Sequence, residues 1–312
     1  MKLTISVIVP TKNRPAYLAA MLRSLFRQTV IPHQLIIVDQ SASDESERLV
    51  RSLYEEASAP IRNDLGFHYL HEPNITGGAT ARNRGLEIVN GDVTLFLDDD
   101  VVLELDFVER LLDVYFTHPE AAGVSGIVTN APVVRRLWWR KIFVRGVLRD
   151  ERQPVYGNAA QLRGTSPIRV SYLTGSMMSF RTERIRALRF DENLQGVSDG
   201  EDSDFCVRLG PKVILLINPN SCLVHNPSPV GREMGHWLRR EVRSVYYVYH
   251  RNWNSGLFNR LSFAWLNLGY AFIATLGSVQ RLSLAPWRAL LDGRRDAWEI
   301  HDRAEACRAS RS

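Results

Sequence analysis

The chain has 312 residues, 45% hydrophobic and 23% charged, the composition of an ordinary folded protein long enough for one large or two modest domains. A net charge of +5 suits anionic substrates, nucleic acid or an anionic membrane surface as partners. Cys206, Cys222 and Cys307 show no CxxC pairing, which excludes a zinc site or disulfide frame and reads as reduced thiols in a cytosolic protein.

The apolar start stops at Pro10, Lys12 and Arg14. It is too short for a secretory signal and suits a first buried strand over residues 5–9, which places the active portion in the cytoplasm. Tyr17, Leu18, Met21, Leu22 and Leu25 follow with helical period. Residues 35–38 predict a second strand ending at Asp39, and Asp44 opens a helix through Leu49 and Leu53. A third strand over 67–70, a helix over 81–89 and a strand over 93–97 continue the alternation. Interleaved strands and helices predict an α/β fold with a mostly parallel central sheet and a site at the strands' carboxyl ends.

The strand over 93–97 ends in Asp98, Asp99 and Asp100. Three adjacent carboxylates repel one another, and a hard divalent cation, Mg²⁺ or Mn²⁺, relieves that repulsion. Strand alternation sends Asp98 and Asp100 to one side, where they can share a metal, and Asp99 to the other. An acidic turn capping a helix near Glu104 is the plainer alternative; one acid would fit it well and three fit it poorly.

From 131 to 169 the alternation breaks, as in a long functional loop or a disordered segment. It resumes with residues 170–180, a helix over 201–209 and a strand over 213–217. After about Pro229 the chain turns aromatic, basic and helical.

Five segments together carry a resemblance: Val7 through Pro10-Thr11-Lys12-Asn13-Arg14, Ile36 through Asp39 to Asp44, Gly77-Gly78 through Gly85, Leu95 through Asp98-Asp99-Asp100 to Val101, and Gly200-Glu201-Asp202-Ser203-Asp204-Phe205. In this order and spacing, residues 3–225 resemble family 2 glycosyltransferases, inverting nucleotide-sugar enzymes with the GT-A fold. The resemblance implies that Pro10, Thr11 and Arg14 line a nucleoside pocket and that Asp39 accepts the base N3–H, a donor that uracil and thymine both offer. It implies that Asp98 and Asp100 hold Mg²⁺ or Mn²⁺ against the sugar diphosphate, and that His225 completes the metal shell. A histidine after a strand is also a common structural residue, so both readings of His225 stand. Gly77 and Gly78 permit close backbone approach before a helix carrying Arg82 and Asn83, and the Arg82 fork suits a diphosphate.

Glu201-Asp202 matches the family's acidic pair beside the acceptor. By motif position Asp202 is the base and Glu201 orients the acceptor, with Asp199 and Asp204 as close rivals. A solvated acidic helix start is the alternative for this pair. Gly175 matches a glycine-led segment beneath the donor and acceptor sugars, in a backbone role. No QxxRW motif is present around His236-Trp237-Leu238-Arg239-Arg240, so single sugar addition is expected rather than processive synthesis.

Two segments bear on the acceptor side. Residues 135–145 interleave arginines with Trp138 and Trp139, which suits an anionic interface or a flap over the donor better than nucleic acid, since no nucleic-acid module accompanies them. Residues 261–279 carry no charge and lie between Arg260 and Arg281, close to the length of a spanning helix, though Asn267 and two glycines suit an embedded or interfacial helix better, with a packed helix of a soluble protein as the alternative. Residues 245–253 make a plausible headgroup belt ahead of it.

The expectation is a GT-A catalytic domain over 1–229 with an irregular basic and aromatic insertion at 131–169, and a helical extension over 230–312. Its expected activity is metal-dependent, inverting transfer of one sugar from a UDP- or dTDP-sugar to a saccharide hydroxyl, lipid-linked, at the cytoplasmic face of the membrane. A nucleotidyltransferase and a silent carbohydrate- or nucleotide-binding subunit are the rivals.

Overall fold

The computed structural model describes residues 3–131, 142–143, 162–194, 200–210, 212–226, 234–252 and 256–309. Asp199, Trp253 and all of the 135–145 stretch except Ile142 and Phe143 lie outside the described residues.

The first half follows the expected alternation. β1 (Ile5–Thr11) enters α1 (Pro15–Leu25), with Pro15 in the first turn, where a missing N–H costs nothing. β2 (Gln34–Asp39), α2 (Glu45–Glu55), α3 (Ala59–Asp64), β3 (Gly66–His71), α4 (Gly78–Leu86) and β4 (Val93–Leu97) follow. Asp44 holds the N-cap position of α2, but its carboxylate takes Arg48 in place of a backbone N–H. After β4 the three acids form a turn into the short β5 (Val101–Leu103), so the helix expected near Glu104 starts later, as α5 (Phe107–Thr117). β6 (Ala121–Val128), β7 (Ile168–Val170), β8 (Met177–Arg181), α6 (Thr182–Ile185), α7 (Glu201–Arg208) and β9 (Ile214–His225) complete the α/β part. The helices α8 (Met234–Asn252), α9 (Leu257–Arg281) and α10 (Ala285–Ala309) follow.

The nine strands of the described residues form one sheet, ordered β3-β2-β1-β4-β8-β6-β9-β5 with β7 also on β9. It is parallel through β3-β2-β1-β4 and mixed beyond, because β8 runs antiparallel between β4 and β6. The parallel share is thus smaller than expected, since strand direction past β4 is set by pairing between distant segments. That reversal positions the site. Leu97 pairs with Met177, which delivers residues 174–176 to the carboxyl end of β4, where Asp98 N–H donates to Ser176 O at 3.2 Å. Antiparallel pairing of β5 with β9 sets His225 opposite Val101, beside Asp100.

β1, β2 and β4 bury both faces. Val7, Val9, Leu35, Ile37, Leu95 and Leu97 pack with α1 and α5, while Ile8, Ile36, Val38 and Phe96 pack on the other side with α4 and α7. Each such side chain contributes roughly 1.5–3 kcal/mol, which holds the strand ends in fixed register. A separate core of Leu238, Val242, Tyr249, Leu266, Tyr270 and Leu290 binds α8, α9 and α10 together. Buried Asp191 and Asp204 join this bundle to the sheet: Tyr247 and Arg251 of α8 pair with Asp191, and Asn252 donates to Asp204 at 3.1 Å.

Candidate active site

The order β2-β1-β4 reverses between β1 and β4, and a crevice at the carboxyl ends of two such strands is the usual ligand position in open α/β sheets. Thr11, at the end of β1, donates its hydroxyl to Asp99 Oδ2 at 2.7 Å. Arg14 reaches Asp99 at 3.3 Å and Asp100 at 3.4 Å. Burial pushes the Asp99 carboxyl up to about 6, with the Thr11 hydrogen bond and Arg14 pulling the other way. Asp99 thus ties the acidic turn to β1 through Thr11, and Arg14 bridges it to Asp100.

Asp98, Asp100 and His225 do converge. One ligand atom from each lies within 4.8 Å of the others. Asp100 Oδ1 is buried without a hydrogen-bond partner among the described residues, although His225 Nε2 stands 3.0 Å away. A carboxylate oxygen and an imidazole nitrogen at that separation suit a shared cation, and two carboxylates with one imidazole are a donor set that Mg²⁺ or Mn²⁺ accepts.

Arg82 departs from the open fork expected of it. It is almost fully buried, and its terminal nitrogens bind Asp98 at 2.9 Å and Glu201 at 3.1 Å. Burial alone would lower its pKa; the carboxylates of Asp98 and Glu201 outweigh that and raise it, so the guanidinium stays charged. Arg82 thereby couples the acidic turn to the start of α7. Beside it, Asp202 Oδ2 accepts the Gly175 N–H at 2.9 Å and Oδ1 accepts the Ser203 N–H at 2.7 Å. Asn83 is structural, its side chain holding the backbone of Phe190.

Arg82→Met would leave Asp98 and Glu201 facing each other without a cation. Removing one partner of a buried pair costs about 3 kcal/mol or more, so a melting temperature lower by several degrees is expected in a thermal melt. Gly200, which caps α7, has φ +84°, and a Cβ there would fall 1.9 Å from Ser244 Oγ on α8. Gly200→Ala should cost about 1–2 kcal/mol from the left-handed backbone alone. Adding Ser244→Ala should restore only the steric excess in the same melt.

Asp39 stands apart from the acidic cluster, as the register partner of Thr11 at the end of β2. It is fully buried; Oδ1 accepts the Ser41 N–H and hydroxyl, and Oδ2 accepts the Tyr69 hydroxyl at 2.6 Å. Burial and then the bond to Asp39 raise the Tyr69 pKa, keeping the phenol a donor. Sequence reading did not single out Tyr69; its signal was its position near the end of a strand beside β2. Pro10 precedes Thr11 on β1, level with Val38.

This fold, with acids and an imidazole at its switch point, is the GT-A arrangement of nucleotide-sugar transferases. The mannosyltransferase PcManGT from Pyrobaculum calidifontis, solved with GDP-Man and Mn²⁺, superposes with a TM-score of 0.61 at 15% identity, over 96% of this chain and 88% of that one. Residues 6–188 match the family model "Glycosyl transferase family 2", and the chain belongs to that family. It is a glycosyltransferase. The succinoglycan biosynthesis protein ExoM of Rhizobium meliloti is 28% identical over 246 residues, 78% of this chain and 73% of that protein. The glucosyl-dolichyl phosphate glucuronosyltransferase of Haloferax volcanii is 29% identical over 136 residues, 44% of this chain and 41% of that relative's length.

Proposed function

We propose that this glycosyltransferase is metal-dependent and inverting, and that it moves one sugar from a UDP- or dTDP-sugar to a hydroxyl of a lipid-linked saccharide during cell-surface polysaccharide assembly. The observation that carries the reading is the Asp98, Asp100 and His225 cluster, joined through Arg82 to the acidic start of α7. Residues 1–229 are the catalytic domain in this reading, and residues 230–312 hold it against the cytoplasmic face of the membrane.

Pro10, Thr11 and Arg14 line the nucleoside side. Asp39 retains acceptor capacity on Oδ2 for an imide N–H, which favours a uracil or thymine base. When bound, Mg²⁺ or Mn²⁺ supplies Lewis-acid stabilisation of the departing nucleoside diphosphate. Asp202 takes the acceptor's hydroxyl proton as that oxygen bonds to the anomeric carbon, opposite the breaking bond to the diphosphate. Glu201 is committed to Arg82, which supports Asp202 as the base, and the Gly175 N–H fixes its carboxylate. The names of the two relatives, one in succinoglycan biosynthesis and one acting on a dolichyl phosphate, support a polysaccharide pathway and a lipid-linked acceptor.

Purified protein assayed with UDP-, dTDP- and GDP-sugars, with and without chelator, tests the reading. Expected is chelator-sensitive turnover of a UDP- or dTDP-sugar, with an inverted anomeric signal in the product by NMR. Turnover of GDP-sugars alone would remove Asp39 from its role, and turnover in chelator would remove the metal.

A further inference from the structure

Among the described residues, α9 is the helix long and apolar enough to cross a membrane. Its faces differ. Leu266, Tyr270 and Ala274 pack into the bundle core, while Leu261, Trp265, Leu268, Phe272, Leu276 and Val279 are 41–68% exposed. Spacing of three and four residues puts those six on one stripe. The helix contains no acid, and Arg260 and Arg281 stand at either end of the stripe.

Part of the basic insertion reaches the same helix. The Trp265 indole donates to Ile142 O at 2.7 Å, and Phe143 packs so closely that a Cβ on Gly269 would meet it at 2.5 Å. Residues 131–169, from which this pair comes, hold nine Arg or Lys and two acids.

Between the stripe and the core lies a cavity of about 560 Å³, lined by Arg260, Phe263 and Asn267 of α9, Tyr249 and His250 of α8, and Arg294 of α10. No carboxylate is among its described lining residues. Arg294 donates to Asn267 Oδ1 at 2.9 Å, but its buried Nε has no hydrogen-bond partner among the described residues. Tyr249 and Phe263 stack at 3.7 Å as an apolar wall. Two guanidinium groups, an imidazole and an amide around one cavity recognise a phosphate ester. Because residues on a helix advance by about 100°, the cavity face and the stripe adjoin along one edge, at Arg260 and Leu261. A ligand with a phosphate head and an apolar tail meets both.

We propose that this cavity binds the phosphate headgroup of an anionic bilayer phospholipid while α9 lies in the plane of the membrane, its stripe among the acyl chains. The proposal rests on the membrane-facing reading of residues 230–312 above. Charge complementarity selects the occupant: an acid-free helix with Arg260 and Arg281, beside a cavity holding Arg294, meets an anionic surface. A spanning α9 would carry Arg294 and the Arg239–Asp296 pair, 2.6 Å apart, into hydrocarbon, which the in-plane placement avoids.

Flotation of the full chain with phosphatidylcholine vesicles, with and without phosphatidylglycerol, tests it. The wild-type protein should bind vesicles containing phosphatidylglycerol more tightly. Arg260→Gln and Arg294→Gln should each reduce that preference by about fivefold or more, the worth of one cation at such a surface. Arg303→Gln, outside the cavity, should reduce it less. Leu268→Glu with Leu276→Glu should abolish binding to both vesicles, with unchanged circular dichroism showing an intact fold. Full preference in both cavity variants, or an equal loss in Arg303→Gln, overturns the headgroup site and leaves the membrane reading standing. No vesicle binding by the wild-type chain overturns both.

Discussion

Asp202→Asn is expected to lower turnover by about 10²–10⁴-fold while nucleotide-sugar binding survives, the usual worth of a positioned base. The substitution is nearly isosteric, and its amide oxygen can still accept one of the two backbone N–H groups, of Gly175 and Ser203, that Asp202 holds. What disappears with the other is the capacity to take the acceptor's proton. Glu201→Gln is the informative control, because Glu201 is bound to Arg82 at 3.1 Å and its loss should disturb the position of Arg82 more than proton transfer. Single-turnover rates and donor affinities for both variants decide between them. Normal transfer by Asp202→Asn beside a dead Glu201→Gln would reverse the assignment.

Asp100→Ala should cost about 10²-fold or more in rate, since a Lewis-acid site that loses a ligand no longer offsets the charge on the leaving diphosphate. The fold should survive, because the change removes one of three crowded acids and leaves Arg14 paired with Asp99. Manganese binding followed by electron paramagnetic resonance should weaken in parallel with turnover. A variant that keeps full activity in chelator would sink the metal assignment. His225→Ala should fall in the same direction if its imidazole is a ligand, and should leave manganese binding unchanged if it is only structural.

The α/β half was legible because its signals are local. Runs such as Leu35 to Val38 and Val93 to Leu97 are buried on both faces, and a continuous apolar run is the mark of such a strand. β5 is three residues long and β6 mixes alanine, glycine and serine with its valines, so neither carries that mark. The antiparallel insertion of β8 left no local trace, since strand direction depends on a partner far away in the chain. Asp191 escaped notice, and Asp204 was read only as a rival to Asp202, for the same reason: their partners Tyr247, Arg251 and Asn252 sit on a helix at least 48 residues on.

The sequence by itself determined the chemical inventory of the site, because hard carboxylates at a strand end and an acidic pair before a helix are properties of adjacent residues. It also determined that residues 261–279 are uncharged and helical. Only the tertiary structure decided what those groups touch. Arg82 reaches Glu201 across 119 residues and closes on Asp98 instead of standing open. His225 meets Asp100 because β9 runs antiparallel to β5, and α9 buries one face while exposing another because α8 and α10 cover only one side of it. Burial and electrostatic pairing act on distance in space, and folding alone sets that distance.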